Sequence, residues 1–170
     1  FNKFDIECDL LGEGINCSIF SGLFLNKNEH QEIKTRINHM FPNSKSFQKI
    51  KNVLNSESKG IFQGKIFVKD IAQKTDAYQL SKALLLDENS EFNSKPELEI
   101  YADDVKCTHG SASGSIDENS LHYLMTRGLN KKAASKLLVK GFLNDIIEFI
   151  KSSSIKKFIE NKLEEQLNGY

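Results

Sequence analysis

From Phe4 to Ile116 the chain is a succession of short apolar or alternating runs, and none is followed by enough residues for a helical crossover. The runs are Phe4 to Leu11, Ile15 to Leu25, Ile33 to His39, Phe47 to Leu54, Ile61 to Val68, Tyr78 to Leu86, Glu97 to Tyr101 and Val105 to Ile116. Their centres recur at roughly 15-residue intervals, a strand-and-turn spacing. Clusters such as Asn26-Lys-Asn28, Asn55-Ser-Glu-Ser58 and Asp87-Glu-Asn-Ser90 separate them and supply the turns. Such a chain is expected to be mainly β. A sandwich, a barrel and a β-solenoid all satisfy the pattern, and only the solenoid stacks successive coils in parallel without helices. Periodicity by itself favours the sandwich.

After Asp117 the period becomes helical. Ser115-Ile-Asp-Glu118 reads as a capping box, Leu121, Leu124 and Met125 share one helical face, and Gly128 fits the position just past the helix end. Asn130 is placed to cap a second helix, in which Ala134, Leu137, Leu138, Gly141, Phe142, Ile146 and Phe149 recur at three- and four-residue steps. Ser152-Ser-Ser154 interrupts that stripe and can cap a third helix presenting Ile155, Phe158, Ile159, Leu163 and Leu167. Two units are therefore expected, a β portion over residues 1–116 and a helical one over 117–170. The helices carry more apolar face than their mutual packing needs, so part of it is expected to dock a partner.

Composition narrows the function classes. Lys plus Arg equals Asp plus Glu, 23 against 23, which argues against nucleic acid, since phosphate binding needs a basic surface excess. No run of about 18 apolar residues is present, so no membrane-spanning helix is expected. Cys8, Cys17 and Cys107 are few and odd in number, which suits a reducing compartment such as the cytoplasm. The chain opens at Phe1 directly into strand-like sequence and reads as a fragment whose N-terminal portion, with any targeting information, is absent.

The chemistry concentrates in Lys95-Pro-Glu-Leu-Glu-Ile-Tyr-Ala-Asp-Asp-Val-Lys-Cys-Thr-His-Gly110. On a strand, Val105, Cys107 and His109 share one face while Lys106 and Thr108 share the other. A thiolate and a neutral imidazole together suit iron, zinc or an iron–sulfur centre, but two ligands do not fill a tetrahedral shell. Further ligands would have to come from elsewhere, which points to an interface. The commoner reading of a lone Cys-x-His is a buried structural cysteine near a hydrogen-bonded histidine. A cysteine hydrolase or transferase with His109 as base is a weaker alternative, since no orienting group or oxyanion hole is evident.

Other polar residues read more blandly. Cys8 and Cys17 have no finger or ribbon spacing and are expected to be packing residues. His39 precedes the Pro42-Asn43 turn and reads as a turn-stabilising or surface histidine, while His30, among Glu29, Gln31 and Glu32, reads as solvated. His122, on the first helix, is a candidate neighbour of the metal ligands. Glu97 and Glu99 should point outward if Leu98 and Ile100 point inward, as a surface row, salt-bridge partners or oxygen ligands beside Asp103 and Asp104. Gly60 and Gly64 form no phosphate loop, since Lys65 is followed by Ile66, so the chain should not bind ATP by itself.

A resemblance adds to this reading. Gly60-Ile-Phe-Gln-Gly-Lys-Ile-Phe-Val68, Ala72-Gln-Lys-Thr-Asp-Ala-Tyr-Gln79, Ala83-Leu-Leu-Leu86, the Lys95 to Gly110 stretch and Leu121-His-Tyr-Leu-Met-Thr-Arg-Gly128 follow one another in the order seen in the SufB/SufD family of iron–sulfur cluster assembly proteins. Ala-Asp-Asp-Val-Lys before Cys-x-His-Gly resembles the SufD branch, as does His39-Met-Phe-Pro-Asn-Ser-Lys-Ser46. The resemblance implies the C-terminal part of a right-handed parallel β-helix followed by a helical subdomain. It implies a non-catalytic scaffold that pairs with a SufB paralogue along the β-helix, while SufC, an ABC-type ATPase, engages the C-terminal helices. A nascent iron–sulfur cluster would form transiently where SufB and SufD meet, with Cys107 and His109 as the inherited ligands. The upstream part of the family pattern is missing, which leaves any flavin or sulfur-donor contact made there open, as it leaves a transit peptide to an organelle stroma and self-association of the isolated chain. A structural β-solenoid interaction protein is the alternative.

Overall fold

The computed structural model describes residues 1–168. The eight runs form eight strands: β1 (Asn2–Leu10), β2 (Asn16–Leu25), β3 (His30–His39), β4 (Lys45–Leu54), β5 (Lys59–Val68), β6 (Asp76–Leu85), β7 (Glu91–Ile100) and β8 (Lys106–Gly114). Odd strands pair in the order β1-β3-β5-β7 and even strands in the order β2-β4-β6-β8, every pair parallel. Consecutive strands thus lie in opposite sheets, each pair makes one coil, and about four coils stack into a parallel β-solenoid. The sandwich favoured by periodicity is not formed. The reason is the corners, which turn the chain to the facing sheet and return it one layer further along.

One corner repeats a left-handed residue in the first three layers: Gly14 at φ 66°, Asn43 at 62° and Lys74 at 58°. Each donates its amide to the next coil, Gly14 to the Pro42 carbonyl at 3.2 Å, Asn43 to Gln73 at 2.9 Å and Lys74 to Asp104 at 2.6 Å. The corner therefore continues the hydrogen-bond ladders of the sheets and meets the demand that backbone groups be paired.

Inward side chains alternate along every strand. Ile37, Ile50, Phe62, Ile66 and Val68 are fully buried. Polar groups share that interior: Thr35 Oγ1 donates to Gln48 Oε1 (2.6 Å), Gln48 Nε2 to Gln79 Oε1 (3.3 Å) and Gln79 Nε2 to the Gly64 carbonyl (3.3 Å). His39 is not a surface or turn residue. It closes β3 pointing inward, fully buried, with Nε2 2.9 Å from Ser46 Oγ, because it falls on the inward phase set by Ile33, Thr35 and Ile37. Nor is His30 solvated, since its ring meets Phe1 edge-on at 4.7 Å and its Nε2 is buried.

Three helices follow, α1 (Glu118–Thr126), α2 (Lys131–Ile147) and α3 (Ser153–Asn168). The cap of α1 is Asp117, which accepts from the Ser120 amide at 2.8 Å, so the expected Ser115 capping box is displaced by two residues. Gly128 takes φ 95° just past that helix, and Asn130 caps α2 by accepting from Ala133, both as expected. The buried face of α2 differs from the expected stripe. Ala134, Ser135, Val139, Leu143, Ile146 and Ile147 are buried, whereas Leu137 is half exposed and Phe149 lies beyond the helix end.

Charge fixes that rotation. Asp145 binds Lys49 and Lys51 of β4 at 2.7 Å each, and Lys51 also donates to the Phe142 carbonyl at 2.6 Å. Burial lowers the Lys51 ammonium even with Asp145 beside it, whereas for Asp145 the two lysines outweigh burial and hold the carboxyl below its ordinary value. The clamp seats Val139, Leu143 and Ile147 on Val53, with Leu163 and Leu167 of α3 completing the cluster.

Candidate metal centre at the open end of the solenoid

β7 and β8 are the last strands of their sheets, and no described strand pairs with their outer edges. The inward residues of this coil are therefore covered from one side only. In register, Cys107 sits on Ala77, His109 on Gln79 and Ser111 on Ser81. The three beneath are each 1% exposed, while Cys107 is half-buried and His109 and Ser111 are exposed. The same column of the solenoid thus changes from sealed to open at this coil.

Cys107 packs at the margin of a cluster formed by Ile66, Val68, Ala72, Ala77 and Ala102, beside Leu98 and Val105. Burial raises its thiol above the ordinary value; a backbone hydrogen bond with Ala77 opposes this and the Asp76 charge adds to it. Cys107 is accordingly a protonated thiol at neutral pH. His109, two residues on, lies roughly 7 Å away along the strand on the same face. Cys107 and His109 are the expected pair, and the fold brings them to one open face as the alternation required.

The remaining candidates are not brought to the pair. Leu98 turns inward and Glu97 and Glu99 outward, where Lys95 binds Glu97 at 2.9 Å and Lys65 and the Tyr101 hydroxyl bind Glu99. They are a salt-bridged outer row. Asp104 serves the corner, its amide donating to Gln73 Oε1 at 2.9 Å. His122 is exposed on α1. The serines of the open end were missed by sequence reasoning: Ser81 Oγ lies 2.7 Å from Ser94 Oγ and 3.1 Å from Ser111 Oγ. Continuing the period-two count from His109 would have reached Ser111. Among the described residues no three or more His, Cys, Asp or Glu side chains are grouped to hold a metal ion, so Cys107 and His109 fit a soft or borderline metal only as part of a shared shell.

The fold and this site define a class: a parallel β-solenoid that carries a thiol and an imidazole on one face of its unpaired last coil. The family model for the SUF system FeS cluster assembly SufBD core domain matches residues 1–142. The chain belongs to that SufB/SufD family, on its SufD side. It is 32% identical over 167 residues to the iron-sulfur cluster assembly protein SufD of Escherichia coli, covering 98% of this chain and 40% of that protein. The SufD of Bacillus subtilis is 29% identical over 137 residues, covering 81% and 31%. A chloroplastic protein of Arabidopsis thaliana is 37% identical over 109 residues, covering 64% and 23%. The chain thus spans well under half the length of these relatives. No helix among the described residues is long and apolar enough to cross a membrane.

Proposed function

We propose that this chain is a SufD-like scaffold subunit on which an iron–sulfur cluster is assembled as cargo, held between Cys107 and His109 here and further ligands on a SufB-type paralogue. The observation that carries the reading is the pair's position on the inward face of a coil with free edges. A related solenoid that pairs with the β7 and β8 edges would both satisfy their backbone groups and enclose the two ligands. The same edges would let two copies of this chain associate when the paralogue is absent.

The chain itself is non-catalytic in this reading. A nucleophilic role for Cys107 is disfavoured because burial raises its thiol, whereas nucleophilic cysteines are lowered. ATP hydrolysis belongs to a SufC-type ABC ATPase docked on the helical unit over 117–170, with the β unit over 1–116 left to the paralogue. Exposed apolar residues on α3, Ile155, Phe158 and Ile159, supply that docking face. The reading places the protein in the cytoplasm or a plastid stroma.

His109→Ala tests it. In anaerobic reconstitution with the paralogue and the ATPase, the visible absorption of the cluster should fall roughly tenfold, the scale of losing one metal ligand or its support, while the complex still elutes intact. Full cluster yield from an intact complex would remove His109 from the site.

A further inference from the structure

The first coil holds a second group of thiols. Cys8 of β1 and Cys17 of β2 both point inward in the first coil, from opposite sheets. Register shows that they face each other. Cys8 stacks on Ile37, Ile66 and Leu98, and Cys17 on Ser46, Ala77 and Cys107. In the deeper coils the corresponding pairs, Ile66 with Ala77 and Leu98 with Cys107, belong to one packed cluster across the interior. In the first coil the two residues at these positions are thiols, and burial together with the neighbouring Cys8 thiol holds that of Cys17 above its ordinary value. Both are half-buried and neither is in a disulfide.

The layer directly beneath is polar as well. Ser46 lies under Cys17 and bonds His39 Nε2 at 2.9 Å, and His39 Nδ1 is buried without a partner. Two sulfurs held face to face, with no third His, Cys, Asp or Glu grouped with them among the described residues, cannot complete the four-coordinate shell that zinc requires. They do suit an ion content with two soft donors in line, as a monovalent d10 cation is.

We propose that Cys8 and Cys17 form a two-thiolate site for a soft monovalent d10 cation, with Cu(I) as the probe. On binding, both S–H bonds break, two S–Cu bonds form, two protons leave to solvent, and no electron is transferred. The site is separate from Cys107 and His109, three coils away, and does not depend on the cluster-assembly reading.

The test is an anaerobic titration of the reduced full chain with Cu(I) against a chromogenic competitor, followed by alkylation and peptide mass spectrometry. In the wild-type chain the first equivalent should protect Cys8 and Cys17 together from alkylation. In a Cys107→Ala background the Cys8→Ser and Cys17→Ser variants, each folded by circular dichroism, should bind Cu(I) at least about tenfold more weakly than the background. Unchanged affinity in both serine variants, or a first equivalent that protects Cys107 and leaves Cys8 and Cys17 reactive, would overturn the proposal. The alkylation arm needs no variant and stands if a serine variant fails to fold.

Discussion

Gly64 shows how one absent side chain sets the interior of a coil. A Cβ there would lie 2.5 Å from Gln79 Nε2, and Gln79 is held by Gln48 and by the Gly64 carbonyl itself. Gly64→Ala should cost about 2 kcal/mol in urea unfolding through overpacking. Gly60→Ala, whose Cβ would come no nearer than 3.2 Å to Leu54 Cδ2 and 3.4 Å to Phe92 Cδ2, should cost clearly less; equal losses would contradict the account. His39 makes the interior sensitive to acid. Burial lowers its pKa from 6.5 to about 4, so the unfolded chain takes up a proton that the folded chain refuses. The stabilising contribution is complete above about pH 6.5 and falls by up to about 1.4 kcal/mol per pH unit as the pH drops toward 4. His39→Asn should flatten the stability profile over that window, and an unchanged slope in chemical denaturation would show that another group titrates. Cys107 and His109 were legible as residues because period-two alternation is a local rule. What the sequence could not show was that one is half-buried and the other open, since exposure depends on which coil is last.

At the scale of elements, the strands were read well where apolar alternation is plain and less well where it is not. β7 begins at Glu91 rather than Glu97, since Asn93, Ser94 and Pro96 are poor strand formers. Pairing with β5 recruits them, and Pro96 is tolerated because β7 is an edge. The face of α2 was misread because its apolar residues surround more than one side, and the choice is made by Asp145 reaching Lys49 and Lys51, a tertiary contact no local pattern reveals. α3 is divided along its length: Leu163 and Leu167 are buried, whereas Ile155 is 53% and Phe158 62% exposed. Its first half is therefore available to a partner without cost to the fold. Phe158→Glu should leave the melting temperature within a few degrees, as surface changes do, and should abolish co-elution with the ATPase subunit. Wild-type capture of the ATPase by this variant would move the docking face elsewhere.

The described molecule is a stack whose last coil differs from its middle. Interior coils are sealed by their neighbours, and the last one leaves its inward column of Cys107, His109 and Ser111 unsealed. Solenoid and sandwich could not be separated by strand spacing, because inward Thr35, Gln48, Gln79 and His39 blur the apolar alternation and the layer-to-layer register spans about 30 residues, beyond any local window. The family resemblance supplied what periodicity lacked. The central claim, that His109 at the open end touches a cluster shared with another chain, is tested most directly by isotope labelling. The chain, uniformly labelled with nitrogen-15 in its histidines, is assembled anaerobically with unlabelled paralogue and ATPase, and the reduced cluster is examined by pulsed EPR. The account predicts a nitrogen-15 coupling that comes from this chain alone and vanishes in His109→Ala; a fully formed cluster showing no coupling to the labelled chain would contradict it.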